Sequence, residues 1–476
     1  MLTAHSSVAI MSPTDDMSET VVVDLQTRFG DRCLLPGDQA YREAIAIWNG
    51  AVERFPAIVV QCETTEDVVA ALGTVTAHDI PFSVKGGGHM TTGHAIVEDG
   101  VVLDMAPMDG VDVDARAGTV TVGGGATWDV VNAAALEHDL IPPGIPDAVG
   151  VAGFTLGGGM GVTGRMNGLA CDNLRSAEVV TATGAVVTAS ENENEDLFWA
   201  IRGGSGNVGI VTGFEFDCVE ASRECLVANV LYPFDGAAAY LEYFNDVAPE
   251  MPEETFPTAA VMTVPELPDL PDELHGELAV AGYVMGIGSG EDLEEALESF
   301  AEFGDPHVAA VYPADYTDLY DPFEVPSGHR HHWESCYVNE LDETLIETVL
   351  DAAIPMPTPQ SNIAIYGLGG AIDRVTSDAT AYPHRDAPFA MHISGHWLDE
   401  SDDDACIGWT RDLHETIREF GTGGEYVNNQ TDTDDGRVRA SFGENYDRLA
   451  EVKARWDPED RLRSTQYVEP AGETDD

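Results

Sequence analysis

Short apolar runs alternate with segments of helical periodicity along the first half of the chain. Phe55–Cys62 is mostly apolar, as is typical of a buried strand. Thr64 or Thr65 then offers an N-cap for a helix that continues to about His78. This succession of strands and helices predicts an α+β lobe. Its other predicted elements are helices at Tyr41–Trp48 and Glu195–Arg202 and from Trp128, and strands ending near Val84 and at Val101–Leu103, Gly118–Val122 and Ala177–Ala182.

The chain from Cys225 to about Phe420 has a different pattern, in which apolar runs are separated by acidic amphipathic segments. Alternation and β-branched residues favour strands in the runs, and the spacing of apolar residues favours helices between them. We therefore expect a second lobe in this region. Its predicted strands are Leu226–Leu231, Glu277–Val284, Val308–Tyr312, Ile363–Gly367 and Ala390–Ile393, and its predicted helices are Phe234–Val247, Asp292–Phe303 and Asp342–Ala353.

A glycine turn follows the strand that ends near Val84. The stretch from Pro81 to Gly93 is P-F-S-V-K-G-G-G-H-M-T-T-G. Consecutive glycines allow backbone N–H groups to approach a ligand closely and to form an anion-binding nest. The stretch matches neither the dinucleotide-binding G-x-G-x-x-G pattern nor a phosphate loop, which would end in G-K-[ST]. The turn therefore delivers His89 to the place where a cofactor would bind.

A second glycine-rich stretch extends from Ile141 to Gly168 and contains apolar rather than polar residues between its glycines. Flexible linkers are rich in glycine and serine and lack such apolar residues. The glycine density also argues against the interior of a helix or strand. We expect backbone that lies closely along a large flat ligand, with a third glycine cluster at Gly203–Asn207.

The charge of the chain is extreme. Its 476 residues include 22 Lys and Arg against 85 Asp and Glu, giving a formal net charge of −63, and Lys85 and Lys453 are the only lysines. Such a charge repels nucleic acids and anionic membranes. The acidic residues are spread along the whole chain, which indicates a soluble protein adapted to concentrated salt, where the screening length falls to about 3 Å. We therefore expect the protein to be located in the cytoplasm of a salt-accumulating cell.

The cysteines and the N-terminus exclude several classes of protein. Seven cysteines form no C-x-x-C pair, so neither a disulfide framework nor a zinc ribbon is expected. No secretory signal and no run of about 18 apolar residues is present. Residues 1–34 are predicted to be an N-terminal leader, and Met11 or Met17 is an alternative start.

Several motifs together resemble one family. They are D-L-F-W-A-I-R-G-G-S-G-N-V-G-I-V-T from Asp196, L-G-G-G-M-G from Leu156, G-L-A-C-D-N-L from Gly168 and Y-V-N from Tyr426. Their order and spacing resemble the FAD-linked oxidases with a para-cresol-methylhydroxylase type of FAD domain, in the berberine-bridge-enzyme-like branch. The resemblance implies an α+β, two-lobed fold, with an FAD-binding domain at 35–222, a substrate domain of antiparallel sheet with helices at 223–420, and a segment at 421–476 that returns to the FAD domain.

The resemblance also implies how FAD is held. His89 stands where the family bonds a histidine to the flavin 8α-methyl group. Pro146 replaces the cysteine that makes a second bond in many members, so attachment through His89 alone is expected. Lys85 replaces the family's usual arginine near the pyrophosphate. The other expected cofactor-binding residues are Gly86, Gly87, Gly88, Met90, Gly93, Pro142, Gly144, Gly150, Gly153, Gly157, Gly158, Gly159, Gly161, Gly209, Val211 and Asn428.

Candidate catalytic residues also follow from the resemblance. Tyr426 matches a tyrosine that lies near the flavin in relatives that oxidise alcohols, and Glu334, Tyr382 and His384 are further candidates. The run His329–His332 is not expected to bind a metal, because neighbouring residues of a strand point to opposite faces.

The implied reaction moves hydride from a small-molecule C–H to flavin N5, with oxygen or another acceptor reoxidising the flavin. Tyr426 favours a C–H beside oxygen, as in a sugar or secondary alcohol. Oxidation of cyclic amines or N-heterocycles, and a flavin-binding redox protein with low turnover, are the alternatives. Neither a nucleic acid nor a membrane is an expected partner.

Overall fold

A computed structural model describes Met17 and residues 19–267, 270–321 and 325–472. The first part of the chain forms the smaller sheets of the fold. Its strands are β1 (Cys33–Leu34), β2 (Ile58–Gln61), β3 (Phe82–Lys85), β4 (Val101–Asp104), β5 (Val111–Asp114), β6 (Thr119–Gly123), β7 (Leu140–Ile141), β8 (Leu174–Val180), β9 (Val186–Ser190), β10 (Ile210–Asp217) and β11 (Val219–Glu220). Its helices are α1 (Glu19–Phe29), α2 (Tyr41–Ala44), α3 (Thr65–Ala77), α4 (Trp128–Leu136), α5 (Val151–Leu156), α6 (Gly164–Asn167) and α7 (Glu195–Ile201).

A four-stranded sheet with the order β1-β2-β4-β3 carries the first glycine turn at its edge. Strands β2 and β3 both pair with β4 in parallel, and α3 makes the crossover between them. The Thr64 hydroxyl accepts the Asp67 N–H at 3.2 Å, which caps α3 and confirms the predicted start of this helix. Because β3 ends at Lys85, the glycine turn leaves the sheet at its carboxyl end.

An antiparallel sheet with the order β5-β6-β10-β8-β9 lies beside the first one. Helices α5 and α6 occur within the second glycine-rich stretch, so the expectation of no helix there is wrong. Both helices are short, and the other glycines lie outside them, several at positive φ. The fold class is confirmed as mixed helix and sheet.

The second lobe is an antiparallel sheet with the order β15-β12-β14-β13-β17-β18-β16. Helices α8, α9, α10 and α12 pack on one face of this sheet. The strands are β12 (Glu224–Pro233), β13 (Thr255–Thr263), β14 (Leu278–Ile287), β15 (Val308–Asp315), β16 (Arg330–Val338), β17 (Asn362–Gly367) and β18 (Phe389–Trp397). The helices are α8 (Ala237–Val247), α9 (Glu291–Ala301), α10 (Glu343–Ala352), α11 (Ala371–Arg374) and α12 (Asp403–Ile417), followed by α13 (Asp435–Phe442) and α14 (Tyr446–Trp456).

Several predicted elements need correction. Helix α1 buries Val21, Leu25 and Phe29 in the core of the first lobe, so this part of the segment predicted as a leader is packed into the fold. Helix α2 ends at Ala44, which leaves Trp48 in an irregular segment rather than on a helix. The domain boundaries near residues 222 and 420 stay predictions. Within the described ranges, the fold contains no helix with the length and apolar character needed to cross a membrane.

Candidate active site

The imidazole of His89 stacks on the indole of Trp48. The ring centroids are 4.3 Å apart and the planes differ by 17°. Burial lowers the pKa of His89 to about 4, so the ring is neutral at physiological pH. A neutral imidazole keeps a nitrogen lone pair, which is the form that can bond to carbon.

Trp48 connects the glycine turn to the second lobe. Its opposite face stacks on His331 of β16, with centroids 3.9 Å apart, and its backbone N–H donates to Gly88 at 3.0 Å. The adjacent Asn49 amide donates to the backbone carbonyls of Thr91 and His331 at 2.8 and 3.0 Å. Sequence reasoning missed both residues, because Trp48 matched the end of an amphipathic helix.

The two longer glycine stretches touch one another. A Cβ added to Gly87 would lie 2.5 Å from the Gly150 Cα, so neither position accepts a side chain without a backbone shift. Gly158 has a φ of +109°, and a Cβ there would lie 2.7 Å from the Tyr382 ring. These glycines therefore bring protein segments together around the site.

Other predicted cofactor glycines also contact protein. Gly144 packs on the ring of Trp128, Gly161 on the Gly144 carbonyl, and Gly157 on the Asn428 side chain. A Cβ at Gly153 would instead meet no atom within 4 Å. Much of the glycine content of this stretch therefore allows close packing between protein segments, and its alignment along a flat ligand stays a prediction.

Lys85 is buried and forms an ion pair with Asp104. Its Nζ lies 3.1 Å from Asp104 Oδ1, and the two residues are 7% and 1% exposed. Both residues end neighbouring parallel strands, which explains their approach. The charge predicted to meet the pyrophosphate is thus neutralised by Asp104 in this structure.

Tyr426 holds its phenol oxygen against the second glycine-rich stretch. The oxygen accepts the Met160 N–H at 2.9 Å and the Asn428 Nδ2–H at 3.1 Å. Burial raises the pKa of Tyr426 to about 12, although these two hydrogen bonds act in the opposite direction. The Ser335 hydroxyl accepts the Tyr426 backbone N–H at 3.0 Å, which ties this segment to β16.

Tyr382 and His384 lie behind this site rather than on its surface. Tyr382 is 1% exposed, and its hydroxyl pairs with that of Tyr337. Burial raises the pKa of Tyr382 and lowers that of His384. His384 Nε2 lies 2.9 Å from the Ala440 carbonyl. Both side chains pack behind the Tyr426 region, and their catalytic roles stay predictions.

Glu334 lies on the helix-facing side of β16, opposite to Trp333 and Ser335. It is fully buried and pairs with Arg437, which also holds Glu425. Glu334 therefore serves an ion pair between β16 and α13, and its catalytic role stays a prediction.

His332, Glu334 and Asp432 place one ligand atom each within 4.8 Å of one another, which is a metal-like spacing. Arg437 holds the Glu334 carboxylate and Arg411 holds Asp432 in two hydrogen bonds of 2.7 and 2.8 Å. Two guanidinium groups already neutralise the carboxylates, so the cluster is an ion network rather than a cation site.

A neutral aromatic surface covers the opposite face of the sheet. His331 and Trp333 of β16, His392 of β18 and Tyr366 of β17 point to this side. His392 Nδ1 lies 3.1 Å from the Tyr366 hydroxyl, and the Trp333 and His392 rings meet edge to face at 4.9 Å. The sequence signal was only the strand periodicity of β16 and β18, which does not reveal their pairing.

The residues present fit an FAD. Thr92 Oγ1, Thr155 Oγ1 and Asn428 Oδ1 are buried and have no hydrogen-bond partner among the described residues. Buried polar atoms are normally paired, and these atoms lie in or beside the predicted cofactor segments. A flavin and its phosphate chain offer both donors and acceptors, so they suit this set.

Two family models match the chain. An FAD binding domain matches residues 56–190, and a "Berberine and berberine like" model matches residues 425–469. The FAD-linked oxidoreductase tazG of Aspergillus terreus is 30% identical over 434 residues, which cover 84% of each chain. The (R)-6-hydroxynicotine oxidase of Paenarthrobacter nicotinovorans is 25% identical over 466 residues, covering 92% of this chain and 96% of the oxidase.

Solved structures have the same fold. BBE-like 1 of Physcomitrella patens superposes with a TM-score of 0.84 at 21% identity, covering 95% of this chain and 99% of its own. The glucooligosaccharide oxidase of Acremonium strictum, with a 6-S-cysteinyl, 8α-N1-histidyl FAD, gives 0.83 at 24% identity, covering 95% and 99%. The chain therefore belongs to the FAD-linked oxidoreductases of the berberine-bridge-enzyme-like family, and FAD is its cofactor.

Proposed function

We propose that this oxidoreductase oxidises a small molecule at a C–H bond beside oxygen, as in a sugar or a secondary alcohol. Bound FAD supplies the two-electron acceptor for such a reaction, and the protein binds and orients the reactants. The observation that carries the proposal is the Tyr426 phenol oxygen, which accepts two N–H groups. Two such donors stabilise the phenolate, which is the form of Tyr426 that can take the hydroxyl proton of the substrate.

The attachment of FAD through His89 alone is part of this proposal. His89 is neutral and its ring is fixed by Trp48, which suits bond formation at one nitrogen. The test is denaturation in acid, after which yellow flavin should stay on the polypeptide. His89→Ala should release it. Free FAD from the unaltered protein, or a cysteinyl adduct in a digest, would contradict single attachment.

A second candidate is the oxidation of cyclic amines or N-heterocycles. It is favoured by the similarity to (R)-6-hydroxynicotine oxidase over nearly the whole of both chains. Anaerobic flavin bleaching in high salt, across a panel of sugars, secondary alcohols and cyclic amines, distinguishes the two candidates. Bleaching by amines alone would replace the first candidate with the second, and no bleaching at all would favour a flavin-binding redox protein.

Oxygen or another acceptor then takes the electrons of the reduced flavin. Stopped-flow measurement of flavin reoxidation by oxygen tests whether oxygen is the acceptor. The acidic composition, with a formal charge of −63, supports placing the protein in the cytoplasm of a salt-accumulating cell. Fractionation of the source cells tests this location.

A further inference from the structure

Unpaired nitrogen atoms cluster on the neutral aromatic surface. The side-chain nitrogens Trp333 Nε1 and His392 Nε2, and both ring nitrogens of His331, are buried without a hydrogen-bond partner among the described residues. Buried polar groups without partners are rare and costly. The Trp333 and His392 rings meet edge to face with centroids 4.9 Å apart, which brings these two side chains with unpaired nitrogens next to each other.

The strand register places this pair beside Tyr426. His392 lies opposite Ser335 in the β16–β18 pairing, and Trp333 lies opposite Ser394. The Ser335 hydroxyl also accepts the Tyr426 backbone N–H. The Trp333 ring is 6.3 Å from that of His89, so the pair lies between His89 and the Tyr426 segment. The predicted flavin attachment at His89 and the predicted proton transfer at Tyr426 therefore both take place next to this part of the sheet.

Tyr366 fixes the orientation of His392. With Nδ1 held 3.1 Å from the Tyr366 hydroxyl, the other nitrogen of the ring points away from Tyr366. When Nδ1–H donates to the Tyr366 oxygen, Nε2 carries a free lone pair and accepts a hydrogen bond. The Trp333 indole can only donate. In this tautomer, the pair offers one acceptor and one donor, which complement a hydroxyl group.

The surface carries no charge at neutral pH. Burial lowers the pKa of His392 to about 3 and that of His331 to about 2. An environment that disfavours an imidazolium also disfavours an ammonium group, because both lose hydration there. Glu334 and Asp432, the carboxylates next to this part of β16, are held by Arg437 and Arg411 in the ion network.

We propose that His392 and Trp333 form the hydrogen-bonding pair that selects an uncharged, hydroxyl-bearing substrate and rejects cationic and anionic analogues. This inference rests on the proposed function, because it assigns the substrate class of the same site. His392 Nε2 accepts the O–H of a second substrate hydroxyl, next to the one that Tyr426 deprotonates, and Trp333 Nε1–H donates to the oxygen of that second hydroxyl. Tyr366 is a positioning residue, since it acts through His392.

The test uses the FAD-loaded protein in high salt without oxygen. trans-1,2-Cyclohexanediol, trans-2-aminocyclohexanol and trans-2-hydroxycyclohexanecarboxylate form one set of probes, and D-glucose, D-glucosamine and D-glucuronate form another. Binding is measured as the perturbation of the flavin spectrum, and reduction as its bleaching. The neutral member of at least one set should bind roughly tenfold or more tightly than its charged analogues, consistent with the cost of an unmatched buried charge.

Variants then locate the selectivity. His392→Leu should raise the Kd of the neutral probe about tenfold, as expected for a lost hydrogen bond in a buried site. His392→Gln, which keeps an acceptor, should recover part of the loss. Trp333→Phe should weaken binding similarly. Ile393→Val is the matched control. Ile393 lies on the same strand as His392 but points into the core on the opposite face of the sheet, so this substitution should leave Kd unchanged.

Three outcomes overturn the pair. The first is equal or tighter binding of the charged probes, and the second is a Kd for the neutral probe that His392→Leu and Trp333→Phe leave unchanged. The third is binding of none of the probes. Binding that depends on His392 without any bleaching would instead contradict the proposed oxidation and keep the pair. The failure of one proposal is thus distinguishable from the failure of the other.

Discussion

At the scale of single residues, the phenol of Tyr426 has a raised pKa and is mostly protonated at neutral pH. Its pKa of about 12 means that the phenolate is a minor species at neutral pH and that its fraction rises tenfold per pH unit below that value. If the phenolate takes the substrate proton, the rate of anaerobic flavin reduction should rise about tenfold per unit between pH 6 and 9. Stopped-flow measurement at saturating substrate checks this, and a flat profile would contradict it.

Removing the Tyr426 hydroxyl tests the same role independently. Tyr426→Phe should slow anaerobic reduction by roughly 10²-fold or more, because a positioned base is lost while the ring remains. FAD content should not change. Tyr41→Phe is the control, since Tyr41 is a buried tyrosine that bonds to the Pro56 carbonyl away from the site. A rate for Tyr426→Phe within about threefold of the unaltered protein, well short of this loss, would remove Tyr426 from proton transfer.

Trp48 should control flavin attachment through its stacking on His89. Trp48→Leu removes the flat surface that fixes the imidazole, so the fraction of flavin that survives acid denaturation should fall. Trp409→Leu is a control, because Trp409 bonds to the Ala352 carbonyl in the second lobe. Equal flavin retention in Trp48→Leu and the unaltered protein would show that the stack is not needed.

At the scale of elements, the ion network joins β16 to α12 and α13. Arg437→Met should lower the free energy of unfolding by about 3–5 kcal/mol, since it leaves Glu334 and Glu425 as buried carboxylates without their partner. Replacing both carboxylates by Gln in the same variant should restore much of the loss. Urea unfolding at fixed high salt measures it. A loss below about 1 kcal/mol, the range of an exposed pair, would contradict this view.

The network should also make stability depend on pH. Burial opposes the charges on Asp432 and Glu425, but their cationic partners outweigh it and lower both pKa values. For His332, hydrogen bonds to Asp432 and Glu334 outweigh burial and raise the pKa. The carboxylates stabilise the fold above about pH 4 and lose this effect on acidification. His332 stabilises fully below about pH 6.5 and loses this effect as pH rises through its raised pKa.

Local signals predicted much of the secondary structure, and long-range contacts explain the rest. The cap at Thr64 and the turn before His89 depend on neighbouring residues, so the sequence contains them. Asn49 and His331 are 282 residues apart, and no local pattern announces their hydrogen bond. Likewise, the sequence predicted only an apolar strand around His392. Its position beside Tyr366 and Trp333 depends on the pairing of β18 with β17 and β16.

At the scale of the whole molecule, the net charge of −63 should make folding depend on salt. Screening lengths rise from about 3 Å at 1 M salt to about 10 Å at 0.1 M, so repulsion between the spread carboxylates grows on dilution. Dialysis into dilute buffer should unfold or inactivate the protein. Circular dichroism and flavin fluorescence during stepwise dilution measure this. Full structure and activity in dilute buffer would contradict salt adaptation.

Both lysines of this protein are buried in ion pairs, Lys85 with Asp104 and Lys453 with Asp457. Lys453 also donates to the carbonyls of Asn207 and Leu462, so its ammonium is fully engaged. Amine-directed reagents such as succinimidyl esters should therefore leave both lysines unmodified in the folded protein and label them after unfolding. Peptide mass spectrometry would follow this labelling, which makes the two buried ammonium groups a chemical reporter of unfolding.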